Sequence, residues 1–404
     1  MALVLVGTGV DILPHDSLVG VGEVELTLAR LLILAGFAGL ALSGGLRREH
    51  LRTGLAIPLG LLLVAGLVST LEWGTEPRYR FLVESVALFY LVVVLVRARP
   101  EATEALVGVA LLAVLISALS GVAQIAQEQA TGFYRDGCEP VTASPPLKPP
   151  GTVTRATGTF QNPNVLAGHL LLLAPFGALA ALGAARRRNR SVAPPLALGV
   201  GLVAAAIAFT YSRAAIFSVL VATGVVLLTA PLDLRRRLAL GGVALAFAVG
   251  STFLFAACGS EAGAGYGRGA EWRDAIALAK DEPVTGVGLG RVGDRLRAED
   301  PRANTRHAHN LLLNWWAEAG TLALIAWLWI LGLLLWRAGR GSVRGDPLAR
   351  ACLAALIGFA GISMLDHPAN VDRVATALWV VAGLTAAAPA LARTTSPGPS
   401  SREP

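Results

Sequence analysis

The chain has 404 residues, 54% of them hydrophobic and only 15% charged, with a mean hydropathy of +0.61 and a net charge of +7. Soluble domains carry about a quarter charged residues, so this composition excludes an ordinary water-soluble enzyme. Repeated apolar runs of about 20 residues match a bilayer core of ~30 Å, and the expected fold class is an all-α polytopic membrane protein. The positive balance does not indicate a nucleic-acid partner, because the arginines sit in short links between apolar runs, as cytoplasmic links do. An odd number of cysteines excludes a fully paired disulfide scaffold, and their spacing fits no zinc site.

In chain order, residues 1–23 fall short of a span because Asp11, Pro14, His15 and Asp16 interrupt the apolar start. No basic segment with a cleavage site precedes the first span, so no removable signal peptide is expected. Eleven spans follow, at about 24–43, 54–71, 81–96, 104–125, 164–184, 193–211, 213–231, 238–258, 310–336, 351–367 and 373–391. The third is short and is interrupted by Glu84. Basic links follow every odd-numbered span: Arg47, Arg48 and Arg52; Arg97 and Arg99; Arg186, Arg187, Arg188 and Arg190; Arg235, Arg236 and Arg237; Arg337, Arg340, Arg344 and Arg350. That alternation puts these links and the C-terminus in the cytoplasm and the N-terminus outside. Residues 1–404 read as one integral membrane domain, with a disordered cytoplasmic tail at 392–404.

Two long links fall on the outer side. The first, 126–163, carries EPVTASPPLKPPG, whose prolines oppose regular structure. It ends in RATGTFQNPN, where Asn162-Pro163 reads as a turn and Asn164 as a helix cap. The second, 259–309, opens on glycines and continues into EWRDAIALAKDEP, where Trp272, Ile276 and Ala279 recur at helical spacing. A short helix lying on the membrane surface is expected there. Cys138 and Cys258 both fall on the outer side, where a disulfide would tie the two long loops together, while Cys352 falls on the inner side.

Chemistry in such a chain sits where helices meet water. His307, His309 and Asn310 lie at the outer edge of the ninth span, and Glu318 lies about two turns deeper, where an ionisable group is costly and suggests function. Glu318 suits either an active-site role or a structural ion pair with a buried arginine. His307-x-His309 is poor metal spacing on a helix, since residues two apart diverge. The pair reads either as interfacial histidines or, for His309, as a base or orienting group, because imidazole titrates near neutrality. Arg213 stands at an outer helix end, where it either snorkels to headgroups or captures an anion such as diphosphate. Arg30 and Arg268 read either as captors of the same kind of anion or as solvated surface residues. GVGLG at 286–290 lacks the ending of a phosphate loop and reads as a tight turn. Trp73, Trp272, Trp315 and Trp316 fit an aromatic belt, with sugar stacking as an alternative for Trp272.

Four segments together resemble the O-antigen ligase and O-antigen polymerase superfamily of bacterial envelope glycosyltransferases: RATGTFQNPNVLAGHL at 155–170, YSRAAIFSVL at 211–220, GRGAEWRDAI…EPVTGVGLGR at 267–291 and HNLLLNWWAEAG at 309–320. The resemblance implies a multi-pass enzyme of the bacterial cytoplasmic membrane with an outward-facing site and no metal or other cofactor. It would pass a glycan from a polyprenyl diphosphate carrier to a hydroxyl of a glycan, lipid or protein acceptor. By the same resemblance, Arg213 and Arg268 would hold the diphosphate and His309 would activate the acceptor. Asn310, Glu318 and Arg30 are possible supporting residues. Leu311 and Leu312 stand where ligases often have small polar residues, which leaves ligation and polymerisation of lipid-linked repeat units both open. Family members commonly have twelve spans, and the first is the one expected to be missing here. The competing class is a non-enzymatic glycolipid transporter, which would need polar residues along a path to both faces.

Overall fold

The computed structural model describes residues 28–127, 153–189, 191–229, 233–239, 268–299 and 307–394, with short pieces before residue 27, at 142–143, at 241–243 and at 246. The chain is an all-α polytopic membrane protein. Among the described residues its longer helices are α1 (Leu28–Leu42), α2 (Ala56–Trp73), α3 (Glu76–Ala98), α4 (Ala102–Gln127), α5 (Pro163–Arg186), α6 (Ala193–Phe209), α7 (Arg213–Thr229), α8 (Arg268–Asp281), α9 (Val292–Glu299), α10 (Leu311–Val343), α11 (Pro347–Ser363) and α12 (Asp372–Thr394). Two short antiparallel strand pairs, Val19–Val21 with Val24–Leu26 and Thr142–Ala143 with Val153–Thr154, are the extended elements among the described residues. The second pair lies either side of the proline run of the first long link.

Among the described residues, five helices, α2, α3, α4, α5 and α10, are long and apolar enough to cross a membrane, and α6, α7, α11 and part of α1 are shorter apolar helices. A described helix coincides with each expected span except the eighth, 238–258, most of which lies outside the described residues, as do Cys138, Cys258 and residues 395–404. Cys352 is a buried free thiol. The third span is longer than its apolar run: α3 begins at Glu76 with a proline in its first turn, where the missing N–H costs nothing. Its Glu84 pairs with Arg30 of α1, so both charges are neutralised against each other.

Helix α12 packs along α3, α11 along α5, α7 and α10, and α10 along α2. The core is aliphatic and aromatic, with Phe89, Phe160, Phe176, Leu62, Leu166 and Leu172 fully enclosed. Helix α10 is broken near its N-terminal end: Ala319 (φ −135°, ψ 16°) and Gly320 (φ 78°, ψ −177°) leave helical geometry. The GVGLG segment docks into this break. Val287 N–H donates to the Ala317 carbonyl (2.8 Å), Gly288 N–H to the Glu318 carbonyl (3.1 Å), and Thr321 N–H to the Pro283 carbonyl (2.8 Å). Ser69 Oγ also donates to the Glu318 carbonyl (2.7 Å), and Trp73 Nε1 to the Gly286 carbonyl (2.7 Å). Backbone groups freed by the break are thereby satisfied, as a low-dielectric setting requires.

Candidate active site

Three connections bring one cluster together at the shared end of α5, α10 and α11. The first is the segment before α5. Gln124 of α4 accepts from the amides of Thr157 (2.9 Å) and Gly158 (2.8 Å) and donates to the Gly158 carbonyl (2.9 Å). Arg373 of α12 donates to the Thr159 carbonyl (2.7 Å), with its guanidinium 4.2 Å from the centre of the Phe160 ring. Held in this way, Arg155 donates through Nε to the Thr210 carbonyl (2.8 Å) and through Nη2 toward Asn164 Oδ1 (3.4 Å). The cap of α5 is Asn162, whose side chain accepts from Asn164 N–H, rather than Asn164 itself. Asn164 is one residue inside the helix, and its amide is therefore available to the site.

The second connection is the turn before α10. Asn310 caps the helix, accepting from Leu312 N–H (3.0 Å) and Leu313 N–H (3.1 Å), while its Nδ2 donates to the Met364 carbonyl (3.0 Å) beyond α11. Asn314 Oδ1 accepts from Ala308 N–H (3.1 Å). His309 has a left-handed backbone, φ 49°, a region in which His is commoner than most residues. The histidines are thus not on a helix, and the expected divergence of His307 and His309 does not occur: their ring centres are 4.4 Å apart.

The third is the link after α11, where Asp366 is the hub. Its Oδ1 accepts from His307 Nε2 (3.2 Å), His309 Nδ1 (3.0 Å) and the His367 N–H (2.7 Å). Its Oδ2 accepts from Asn164 Nδ2 (2.6 Å), with Arg268 Nη2 at 3.7 Å. Burial pushes the Asp366 carboxyl up, but the hydrogen bonds from His307 and His309 and their charges outweigh it and hold the group well below the usual carboxylate range. An ionised carboxylate only accepts, so Nδ1 of His309 carries the proton and, in the neutral ring, Nε2 keeps its lone pair. Asn370 Nδ2 lies 3.3 Å from His307 Nδ1 and fixes the second ring in the same way.

Nε2 of His309 faces Glu271 of α8, with Oε2 at 3.9 Å, too long for a hydrogen bond. That oxygen is buried and has no hydrogen-bond partner among the described residues. Burial raises the Glu271 carboxyl above its ordinary value, against the charges of His309 and Arg268. Burial lowers the Arg155 guanidinium, and the neighbouring Arg268 charge lowers it further. Two arginines therefore stand close together beside Asp366. Helix α8 itself buries Glu271, Ala275, Leu278 and Ala279. This face is turned by about one residue from the expected Trp272, Ile276 and Ala279, and it packs on α10.

The expected site residues divide as follows. His309 and Arg268 join the cluster, and Asn310 supports it by capping α10. Arg213 opens α7 and is exposed, three residues after the Thr210 carbonyl that Arg155 holds. Glu318 is buried against Asn314, the Gly290 backbone and Arg78, in a cavity of about 70 Å³ that His367 and Asn370 also line. Arg30 is engaged by Glu84. Trp73 and Trp315 are packed rather than free in a belt: Arg295 lies 4.6 Å from the centre of the Trp73 ring, and Trp315 meets Trp327 at 5.7 Å. Sequence reasoning gave no role to Asp366, Arg155 or Glu271 and did not place Asn164 at the site. An acidic residue at the end of an apolar run was the available signal for Asp366.

No curated protein matches the chain in sequence. Residues 198–328 match the family model described as O-Antigen ligase, a stretch that runs from α6 into α10 and contains Arg213, Arg268, Glu271, His307, His309 and Glu318. Over this segment, about a third of its length, the chain is similar to the O-antigen ligase family.

Proposed function

We propose that this chain is a membrane glycosyltransferase that moves a glycan from a polyprenyl diphosphate carrier to an acceptor hydroxyl at the outer face of the cytoplasmic membrane, without a metal. The observation that carries the reading is the Asp366–His309 contact at 3.0 Å, which fixes the protonated Nδ1 and presents Nε2 as a base. An acceptor alcohol is a weak nucleophile and gains from a base within hydrogen-bond reach. In the proposed step its oxygen bonds to the anomeric carbon and its proton passes to Nε2. The bond from that carbon to the diphosphate oxygen breaks, and the electron pair leaves on the polyprenyl diphosphate. Arg268, with Arg155 beside it, and Arg213 would stabilise the leaving charge, as converging donors do in a water-poor site. Asp366 already accepts from His307, His309, Asn164 and the His367 amide, so it is not available as a glycosyl nucleophile. A single displacement with inversion is the expected outcome.

The reading is tested with purified protein, a polyprenyl diphosphate-linked glycan and an acceptor. His309→Ala should lose about 10²–10⁴-fold in transfer, the usual share of a general base, while donor binding is largely kept. Near-normal transfer by that variant would remove His309 as the base.

A further inference from the structure

We propose that His307, His309 and Asp366 form an inhibitory site for a divalent transition-metal ion of the Zn²⁺ class. The inhibitory part rests on the function proposed above, but the binding does not. Each residue offers one ligand atom, and the three atoms lie within 4.8 Å of one another. The two nitrogen-to-oxygen separations, 3.2 Å for His307 Nε2 and 3.0 Å for His309 Nδ1, are close to an edge of a coordination tetrahedron. With bonds of ~2.0–2.1 Å that edge is about 3.3 Å. Small ring movements would therefore exchange two shared protons for one ion.

The surroundings suit that exchange. A metal-bound imidazole usually donates its other N–H to a carboxylate or carbonyl. With metal on Nδ1, the His309 Nε2–H would face the buried Glu271 Oε2, now 3.9 Å away and without a hydrogen-bond partner among the described residues. With metal on Nε2, the His307 Nδ1–H would face the Asn370 side-chain amide, now 3.3 Å away, which needs only to turn its oxygen inward. Arg268, 3.7 Å from Asp366, opposes any cation. Two imidazoles with one carboxylate therefore select an ion with strong imidazole affinity, Zn²⁺ or Co²⁺, over Mg²⁺ or Ca²⁺, which prefer several oxygens. Bound metal would hold the Nδ1 lone pair and leave the proton on Nε2, so the base would be lost and transfer would stop.

The test begins with Co²⁺ alone, added to the full-length protein purified in detergent in the presence of chelator and then freed of it. The expected result is one Co²⁺ per chain with visible absorption of low-symmetry coordination, displaced by Zn²⁺ and unaffected by Mg²⁺. Asp366 is a buried hub and its variants risk misfolding, so the informative variant is His307→Gln, whose amide still donates to Asp366. Its folding is checked by size exclusion and thermal melting. In His307→Gln and in His309→Ala the Co²⁺ affinity should fall at least about tenfold, the loss of one ligand contact worth ~1.4 kcal/mol. No Co²⁺ bands up to about 1 mM, the weak limit of a specific site, or unchanged bands in either variant, would overturn the proposal. Zn²⁺ should also stop transfer by the wild type, with full recovery on chelation. Undiminished transfer with Zn²⁺ bound overturns the inhibitory role, as does transfer abolished by chelator. A chelated wild type that binds Co²⁺ as expected but transfers nothing counts against the proposed function, and not against the metal site.

Discussion

Gly286 and Glu318 meet backbone to backbone: a Cβ on Gly286 would lie 2.3 Å from the Glu318 carbonyl carbon. Gly286 also has φ 63°, a conformation that side chains disfavour. The approach is reciprocal, since a Cβ on Gly320 would lie 2.4 Å from the Val284 carbonyl oxygen. The glycine segment is thus a wedge that seals the break in α10 and ties the segment carrying α8 to the helix beyond His309. Gly286→Ala should therefore destabilise the protein by more than ~1 kcal/mol, through both strain and lost docking. Gly60→Ala is the control, because it lies within α2 with nothing inside 4 Å of a new Cβ, and alanine is the better helix former. Thermal melting in detergent separates them, and equal melting temperatures would remove the wedge.

Arg30 and Glu84 join α1 to α3, with side chains 19% and 21% exposed. Removing one partner of a fully buried pair costs ~3–5 kcal/mol because a charge is left behind. Solvent reaches this pair, so about 1–3 kcal/mol is expected for Arg30→Met or Glu84→Gln alone. Arg30→Met with Glu84→Leu should recover part of the loss. Transfer per folded molecule should be unchanged in all three. Loss of transfer in Arg30→Met with unaltered melting would instead return Arg30 to the substrate.

The helices were legible because an apolar run states its own length at 1.5 Å per residue. Caps were less so: Asn162 and Asn164 both suit the position, and only the register set by Pro163 decides between them. The break at Ala319–Gly320 had no local signal, because its freed groups are satisfied by residues 283–288 and by Ser69. His309 was found from its place at an apolar edge. Its orienting partner was not, since Asp366 lies 57 positions later, at the end of a run that reads as one more span. Hydrogen bonds across helices leave no trace in periodicity. The convergence of His307 on the same carboxylate was hidden for another reason: it depends on a left-handed backbone at His309, which no spacing rule supplies.

Arg213 and Arg268 are expected to act through their planar forks as well as their charge. Arg268 has a side chain 43% exposed and, among the described residues, only a long contact to Asp366, so its fork can face a ligand. Alanine at either position should raise the donor KM at least about tenfold, and lysine should restore only part, since it cannot make the bidentate contact. The acceptor KM should not move. Steady-state kinetics with donor and acceptor varied separately make the distinction, and full recovery by lysine at both positions would reduce their role to charge alone.

Asp366 and His309 should behave as one unit. If the carboxylate acts by holding Nδ1–H, Asp366→Asn removes the negative partner and allows the ring to present the wrong nitrogen, so transfer should fall by about the 10²–10⁴-fold expected for loss of the base. His309→Ala should cost a similar factor, and the double variant should be no slower than the worse single one, because residues acting together are grossly non-additive. Independent roles would multiply the two losses instead. Melting must be measured alongside, since Asp366 also binds Asn164, His307 and the His367 amide. Asn164→Ser provides the comparison: it removes the 2.6 Å donor to Oδ2 while leaving the Oδ1 contact to His309 in place. It should lower stability more than transfer. A variant at Asn164 that abolished transfer as completely as Asp366→Asn, with normal melting, would shift the essential contact from Oδ1 to Oδ2 and with it the account of how His309 is oriented.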